Sequence, residues 1–170
     1  MKRLTVLRHA KSSWEDPELR DFDRPLNDRG RKAARRIGRE FRQRHFRFDL
    51  VLASAAVRVR ETLAGLEEEF DSAAPIHFEE RLYLASEATL LSRLRDLPDT
   101  VRSLLVLGHN PGLHDLLLGL AHGTADGDPQ LQRNFPTAAV AVIELPAEQW
   151  NAVGRDSGKL VELILPKRPD

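Results

Sequence analysis

Two histidines and two arginines stand where side chains can share one site. Arg8 and His9 follow a short apolar run, Leu4–Leu7. His109 follows a second run, Leu104–Leu107, after Gly108. In α/β folds, sites lie at the C-terminal ends of strands. A lone histidine after a strand is equally an ordinary hydrogen-bonded loop residue. Two at equivalent places, one beside an arginine, point toward chemistry. Arg58 falls in the first turns of a helix after a further apolar run. Its other reading is a surface ion pair with Glu61 or Glu67. The helix start at Ser54–Val57 offers backbone N–H groups to an anion, and a guanidinium fork fits phosphate oxygens in pairs. Two arginines and two histidines around one point would hold a dianionic phosphoryl group. One imidazole could then attack phosphorus while the other groups neutralise oxygen charge.

Elements that could position these residues follow from periodicity. Leu4–Leu7 and Phe48–Ala53 read as buried strands, as do Ser103–Leu107, Thr137–Leu145 and Lys159–Leu165. One helix, capped by Asn27, carries Ala33, Ala34, Ile37 and Phe41 on one face. A second follows Ser54 as its cap, through Val57, Leu63, Leu66 and Phe70. A third is capped by Ser86 and holds Leu90, Leu91 and Leu94. The fourth opens after Pro111 and holds Leu113, Leu116, Leu117 and Leu120. Residues 10–26 read as a long functional loop, 75–84 as irregular with room for one short strand, and 122–136 as loop. Strands alternating with amphipathic helices imply an α/β fold: a three-layer sandwich with a mostly parallel central sheet flanked by helices. No repeat or linker divides the chain, so residues 1–170 read as a single domain.

Composition narrows the chemistry. The 170 residues balance 26 Lys and Arg against 26 Asp and Glu. Hydrophobic content of 41% excludes a disordered or fibrous chain. There is no cysteine, so thiolate nucleophiles and Cys-based metal sites are excluded. The apolar start is too short for a signal peptide, and no run suffices for a membrane helix. A cytoplasmic monomer or weak homodimer is expected, with no membrane partner. Arg29–Arg47 holds nine Arg or Lys and one acid, Glu40. This stretch is a solvated helix face, a dock for an acidic partner, or a nucleic-acid footprint. The first is the simplest, and no nucleic-acid partner is expected.

Leu7-Arg8-His9-Ala10 resembles the Arg-His-Gly signature of the histidine phosphatase superfamily, whose fold is phosphoglycerate mutase-like. The order of motifs is most similar to its small bacterial branch, the phosphohistidine phosphatases of SixA type. Arg24-Pro25-Leu26 with Gly30, Ser54 with Arg58 and Thr62, Gly108-His109-Asn110-Pro111-Gly112 and Phe135-Pro136-Thr137 resemble later motifs of that family. The likeness spans residues 3 to about 145. It implies that His9 is the nucleophile and becomes phosphorylated. Arg8 and Arg58 would bind the phosphoryl oxygens, with His109 as the second pocket histidine and phosphate ligand. It implies two-step hydrolysis with no metal and no cofactor. Ala10 departs from the usual glycine.

A general acid is harder to place. Glu79 and Glu80 lie in the region where many members carry one, but they read equally as a solvated turn. Asp21, Asp23 and Asp28 could take a proton or pair with arginines, or stand as solvated loop acids. Ser12 and Ser13 could donate to phosphate. Trp14 either lines the entrance or packs. His114 and His122 match no metal-ligand spacing. An alkoxide leaving group needs a proton donor and a phosphorylated imidazole needs less help. Only residues 71–88 and 121–136 could form a rim. Both points favour a phosphohistidine-bearing protein as substrate. The alternatives are a small phosphorylated metabolite, as for a sugar or nucleotide-derived phosphomonoesterase, and a phosphate-binding module without turnover.

Overall fold

The structure, a computed structural model, describes residues 1–121 and 128–166. Six strands form one sheet in the order β3-β2-β4-β1-β5-β6. These are β1 (Lys2–Arg8), β2 (Leu50–Ser54), β3 (Ile76–Glu79), β4 (Ser103–Gly108), β5 (Val140–Leu145) and β6 (Lys159–Ile164). The pairs β1–β4, β2–β4 and β2–β3 are parallel, while β5 runs against both β1 and β6. The mostly parallel sheet expected from the alternating pattern is therefore observed. The expected strand from Thr137 begins only at Val140, because Ala138 turns the chain with a positive φ of 64°.

Among the described residues, five α-helices cover the sheet: α1 (Asp28–Gln43), α2 (Val57–Glu67), α3 (Glu87–Arg95), α4 (Gly112–Leu120) and α5 (Pro129–Arg133). Alternation along each strand sends side chains to opposite faces. Leu4, Val6, Leu52, Leu104 and Val106 pack with Leu90, Leu94, Leu113, Leu116 and Leu117. Leu7, Val51, Ala53, Leu105 and Leu107 pack with Ala34, Ile37, Phe41, Val59 and Leu63. This double cover explains why the central strands read as continuous apolar runs. Helix α5 lies within the segment expected to be loop. Asp128 caps it through Gln130 and Leu131 N–H groups, and Leu131 is buried. His122, Gly123 and Gly127 lie outside the described residues.

Asn27 caps α1 by accepting from Gly30 N–H, and Ser86 caps α3 by accepting from Thr89 N–H. Two close approaches anchor the site loops. A Cβ on Gly30 would lie 2.1 Å from the Lys11 carbonyl oxygen, and one on Gly112 would lie 1.9 Å from that of Ala85. Glycine there lets α1 press on the loop after β1, and α4 on the loop after β3. Arginines of α1 and its C-cap meet acids just past α2, on α1 itself and on β6: Arg35 pairs with Glu68, Arg39 and Arg42 with Glu69, and Arg44 with Glu40 and Glu162. Among the described residues, no helix is long and apolar enough to cross a membrane.

Candidate active site

The two histidine-bearing strand ends are neighbours. Arg8 is paired with Gly108 in the β1–β4 register, and His9 N–H donates to the Gly108 carbonyl at 3.2 Å. The His9 and His109 rings stand 5.3 Å apart, centroid to centroid. Both are buried, at 6% and 3% exposure. Arg8, His9, Arg58 and His109, the four residues singled out from the sequence, line one cavity of about 450 Å³. Lys11, Ser12, Trp14, Asp21, Arg24 and Asn110 are also among its lining residues.

Hydrogen bonds fix both ring tautomers. His9 Nδ1 lies 2.7 Å from the Ala10 carbonyl oxygen. A carbonyl only accepts, so Nδ1 carries the proton and Nε2 presents its lone pair. Ala10 N–H donates to Thr62 Oγ1 at 3.0 Å, and Thr62 donates to the Arg58 carbonyl at 2.7 Å. This chain of bonds ties the loop after β1 to the first turns of α2. Ala10 is not among the positive-φ residues, so alanine fits where the family pattern has glycine. His109 Nδ1 lies 3.4 Å from Arg58 Nη2, and Nε2 lies 2.7 Å from Ser54 Oγ. The guanidinium only donates, so Nδ1 accepts and Nε2–H donates to the serine. Ser54 was expected to cap α2, but Ala56 holds that position. Ser54 ends β2 fully buried, and its hydroxyl takes His109 Nε2–H and Ala56 N–H.

Burial keeps both rings neutral. It lowers the His9 pKa to about 4, with Arg58, Arg8 and Arg24 adding to the effect and the Ala10 hydrogen bond opposing it. Burial, then His9 and Arg58, lower that of His109 to about 3. A neutral His9 is the form that can attack.

Arg24, given no role from the sequence, and Asp21, left there between pairing and solvation, complete a network with Arg58. Arg58 donates to the Asp21 carbonyl at 2.7 Å and to its Oδ2 at 3.0 Å. Arg24 donates to Asp21 Oδ1 at 3.1 Å and also bonds Ser12 Oγ. Tyr83 OH donates to Asp21 Oδ2. The Tyr83 hydroxyl and the arginines hold this carboxyl below the usual range, against partial burial. Of the readings open from the sequence, Asp21 thus takes the pairing with arginines. The signal was available as an Asp-x-x-Arg spacing, one turn of the short 3₁₀ helix Asp21–Asp23 and its cap. Arg24 is buried with its Nε–H unpaired, as is the Nε–H of Arg8. The Arg24 guanidinium lies 3.3 Å from the Trp14 ring centroid, and Trp14 is 77% exposed at the mouth.

Other candidates lie elsewhere. Glu79 receives Arg93 Nε and Nη2, both at 2.9 Å, and Arg81 Nε at 3.2 Å. It is engaged away from the cavity. Glu61 accepts from Leu26 N–H and leaves Arg58 to Asp21. Ser13 accepts from Glu15 N–H. His114 bonds the Leu131 carbonyl.

A family model described as the histidine phosphatase superfamily (branch 1) matches residues 4–83. An uncharacterised protein of Mycobacterium tuberculosis is 36% identical over 166 residues, spanning 95% of this chain and 100% of that protein. A solved structure assigned as the phosphohistidine phosphatase SixA of Agrobacterium tumefaciens is 30% identical. It has a TM-score of 0.80 and covers 97% of this chain and 98% of its own. The fold is shared more widely. The native structure of a mycobacterial glucosyl-3-phosphoglycerate phosphatase has a TM-score of 0.65 at 14% identity, covering 95% of this chain and 97% of its own.

Proposed function

The chain belongs to the histidine phosphatase superfamily, and from that premise we propose that it hydrolyses phosphohistidine on a protein, without a metal, through phosphorylated His9. The observation that carries this reading is a neutral His9 with Nε2 free, set among three arginines, beside the carboxylate of Asp21, which has no proton to give.

In the first step His9 Nε2 gives its lone pair to phosphorus. The bond to the leaving nitrogen breaks, and its electron pair stays on that nitrogen. Arg8, Arg24 and Arg58 neutralise the phosphoryl oxygens. An arriving dianion also offsets the positive field at His109. This favours a proton on its Nδ1, which then donates to a phosphoryl oxygen in place of accepting from Arg58. In the second step water attacks phosphorus, and His9 departs with its electron pair.

An alkoxide leaving group calls for a general acid. Asp21 is held as a carboxylate by Tyr83, Arg58 and Arg24, and Glu79 by Arg93. A nitrogen leaving group suits such a site better than an oxygen one. The likeness to the Agrobacterium tumefaciens structure supports the same choice. A cysteine-free chain is also at home in the reducing cytoplasm. The test is a side-by-side assay. Turnover of a phosphohistidyl phosphotransfer protein is expected to exceed that of sugar and aryl phosphates at least tenfold. The reverse ranking would make the chain a small-molecule phosphomonoesterase.

A further inference from the structure

The mouth of the cavity has a chemistry of its own. Asp21 accepts from Arg24 on Oδ1, and from Arg58 and Tyr83 on Oδ2. A carboxylate offers about four acceptor sites, so three donors leave one unused. The arginines it holds have side chains 5% and 8% exposed, whereas the Asp21 side chain is 45% exposed. The carboxylate therefore faces the solvent side of the same cavity that holds His9. Two apolar residues share that rim. Trp14 stands largely exposed, and Leu84 is 53% exposed in a left-handed conformation with φ of 50°. Strain of this kind persists only where the surroundings enforce it. An acceptor that shares its cavity with two exposed apolar side chains suits a flat ring with an N–H. It is poorly suited to a hydroxyl-rich sugar.

We propose that Asp21 recognises the leaving group: its carboxylate accepts the N–H on the far nitrogen of the substrate's phosphorylated imidazole, whose ring lies between Trp14 and Leu84. This rests on the phosphohistidine reading above and names the residue that enforces it.

The bond balance shows what the contact does. When the P–N bond breaks, its electron pair remains on the substrate ring. A ring protonated on its other nitrogen departs as neutral imidazole, and no proton has to be delivered. A ring without that proton must depart as an imidazolate anion, a far poorer leaving group. Asp21 keeps the bound ring protonated at a pH where the free one has lost its proton. Toward an alkoxide the same carboxylate works the other way. It sets a fixed negative charge near developing negative charge and offers no proton.

The pH dependence of kcat reports groups in the enzyme–substrate complex and so reads this directly. With phosphoimidazole as probe, wild-type kcat is expected to stay level to at least one pH unit above the ionisation of free phosphoimidazole. In Asp21→Asn the alkaline break should move down by at least one pH unit. The kcat ratio of phosphoimidazole to phenyl phosphate should then fall at least tenfold near pH 8.5 and much less near pH 6. Damage to Arg58 or Arg24 placement lowers both substrates at every pH and cancels in the ratio. An unmoved break with a constant ratio would overturn the proposal and leave Asp21 as a brace for arginines. If the variant does not fold, the wild-type profile decides: a break coinciding with the ionisation of free phosphoimidazole overturns it. A wild-type preference for sugar phosphates would instead overturn the substrate reading, whatever Asp21→Asn does.

Discussion

Acid should destabilise this protein through its two buried histidines, His9 and His109. His9 and His109 have folded pKa values of about 4 and about 3, against an ordinary value of 6.5. Below 6.5 the unfolded chain binds protons that the folded rings refuse, so stability falls as pH falls from 6.5 toward 4. Each pH unit in that window costs about 1.4 kcal/mol per ring. From pH 6.5 to 5 this is about 2 kcal/mol for each histidine and about 4 kcal/mol for the pair. Such a loss is a large part of the 5–15 kcal/mol that holds a typical domain. The size depends on the unfolded value alone, because both folded values lie below 5. The assay is urea unfolding at pH 7.5 and pH 5.0 for wild type and His9→Asn/His109→Asn. With a slope of about 2 kcal/mol per molar urea, the wild-type midpoint should drop about 2 M further than that of the double variant. Equal drops would refute the claim that burial holds these rings neutral. Saturating phosphate supplies the missing negative charge and should shrink the wild-type loss.

Two substitutions separate the site from its surroundings. Arg24→Leu removes a buried guanidinium that lines the cavity, and kcat/KM should fall about 100-fold, the usual cost of one lost oxyanion donor; steady-state assays check this, and a loss under threefold would remove Arg24 from the phosphoryl site. Glu79→Gln breaks the paired contact with Arg93 and should cost about 1–2 kcal/mol in urea unfolding while turnover stays within twofold. A 100-fold fall in turnover there would restore Glu79 as the general acid.

The parts that were legible in the sequence are those set by local pattern. Leu4–Leu7 and Leu104–Leu107 read as central strands because both faces of the sheet are covered, and Arg8, His9 and His109 follow at their ends. Asn27 and Ser86 cap their helices within three residues, so the signal is local. Ser54 carried the same cap signature, but a residue 55 positions away claims its hydroxyl. The joining of Asp21 to Arg58 and Tyr83 spans 37 and 62 positions, and no pattern within loop 10–26 encodes it. Glu79 pairs with Arg93 for a similar reason: β3 and α3 bring them together only once the sheet has formed. The direction of β5 was equally hidden, since an antiparallel strand buried on both faces carries the same apolar run as a parallel one.

The central claim is that His9 carries the phosphoryl group between substrate and water. Its most direct test is to mix the enzyme with phosphohistidyl phosphotransfer protein, quench in alkali within milliseconds, and locate the added phosphoryl mass by peptide sequencing. The account predicts phosphorylation at His9, none in His9→Ala, and no phosphate release by that variant. Phosphate release that persists in His9→Ala, or a phosphoryl group found on another residue, would contradict it.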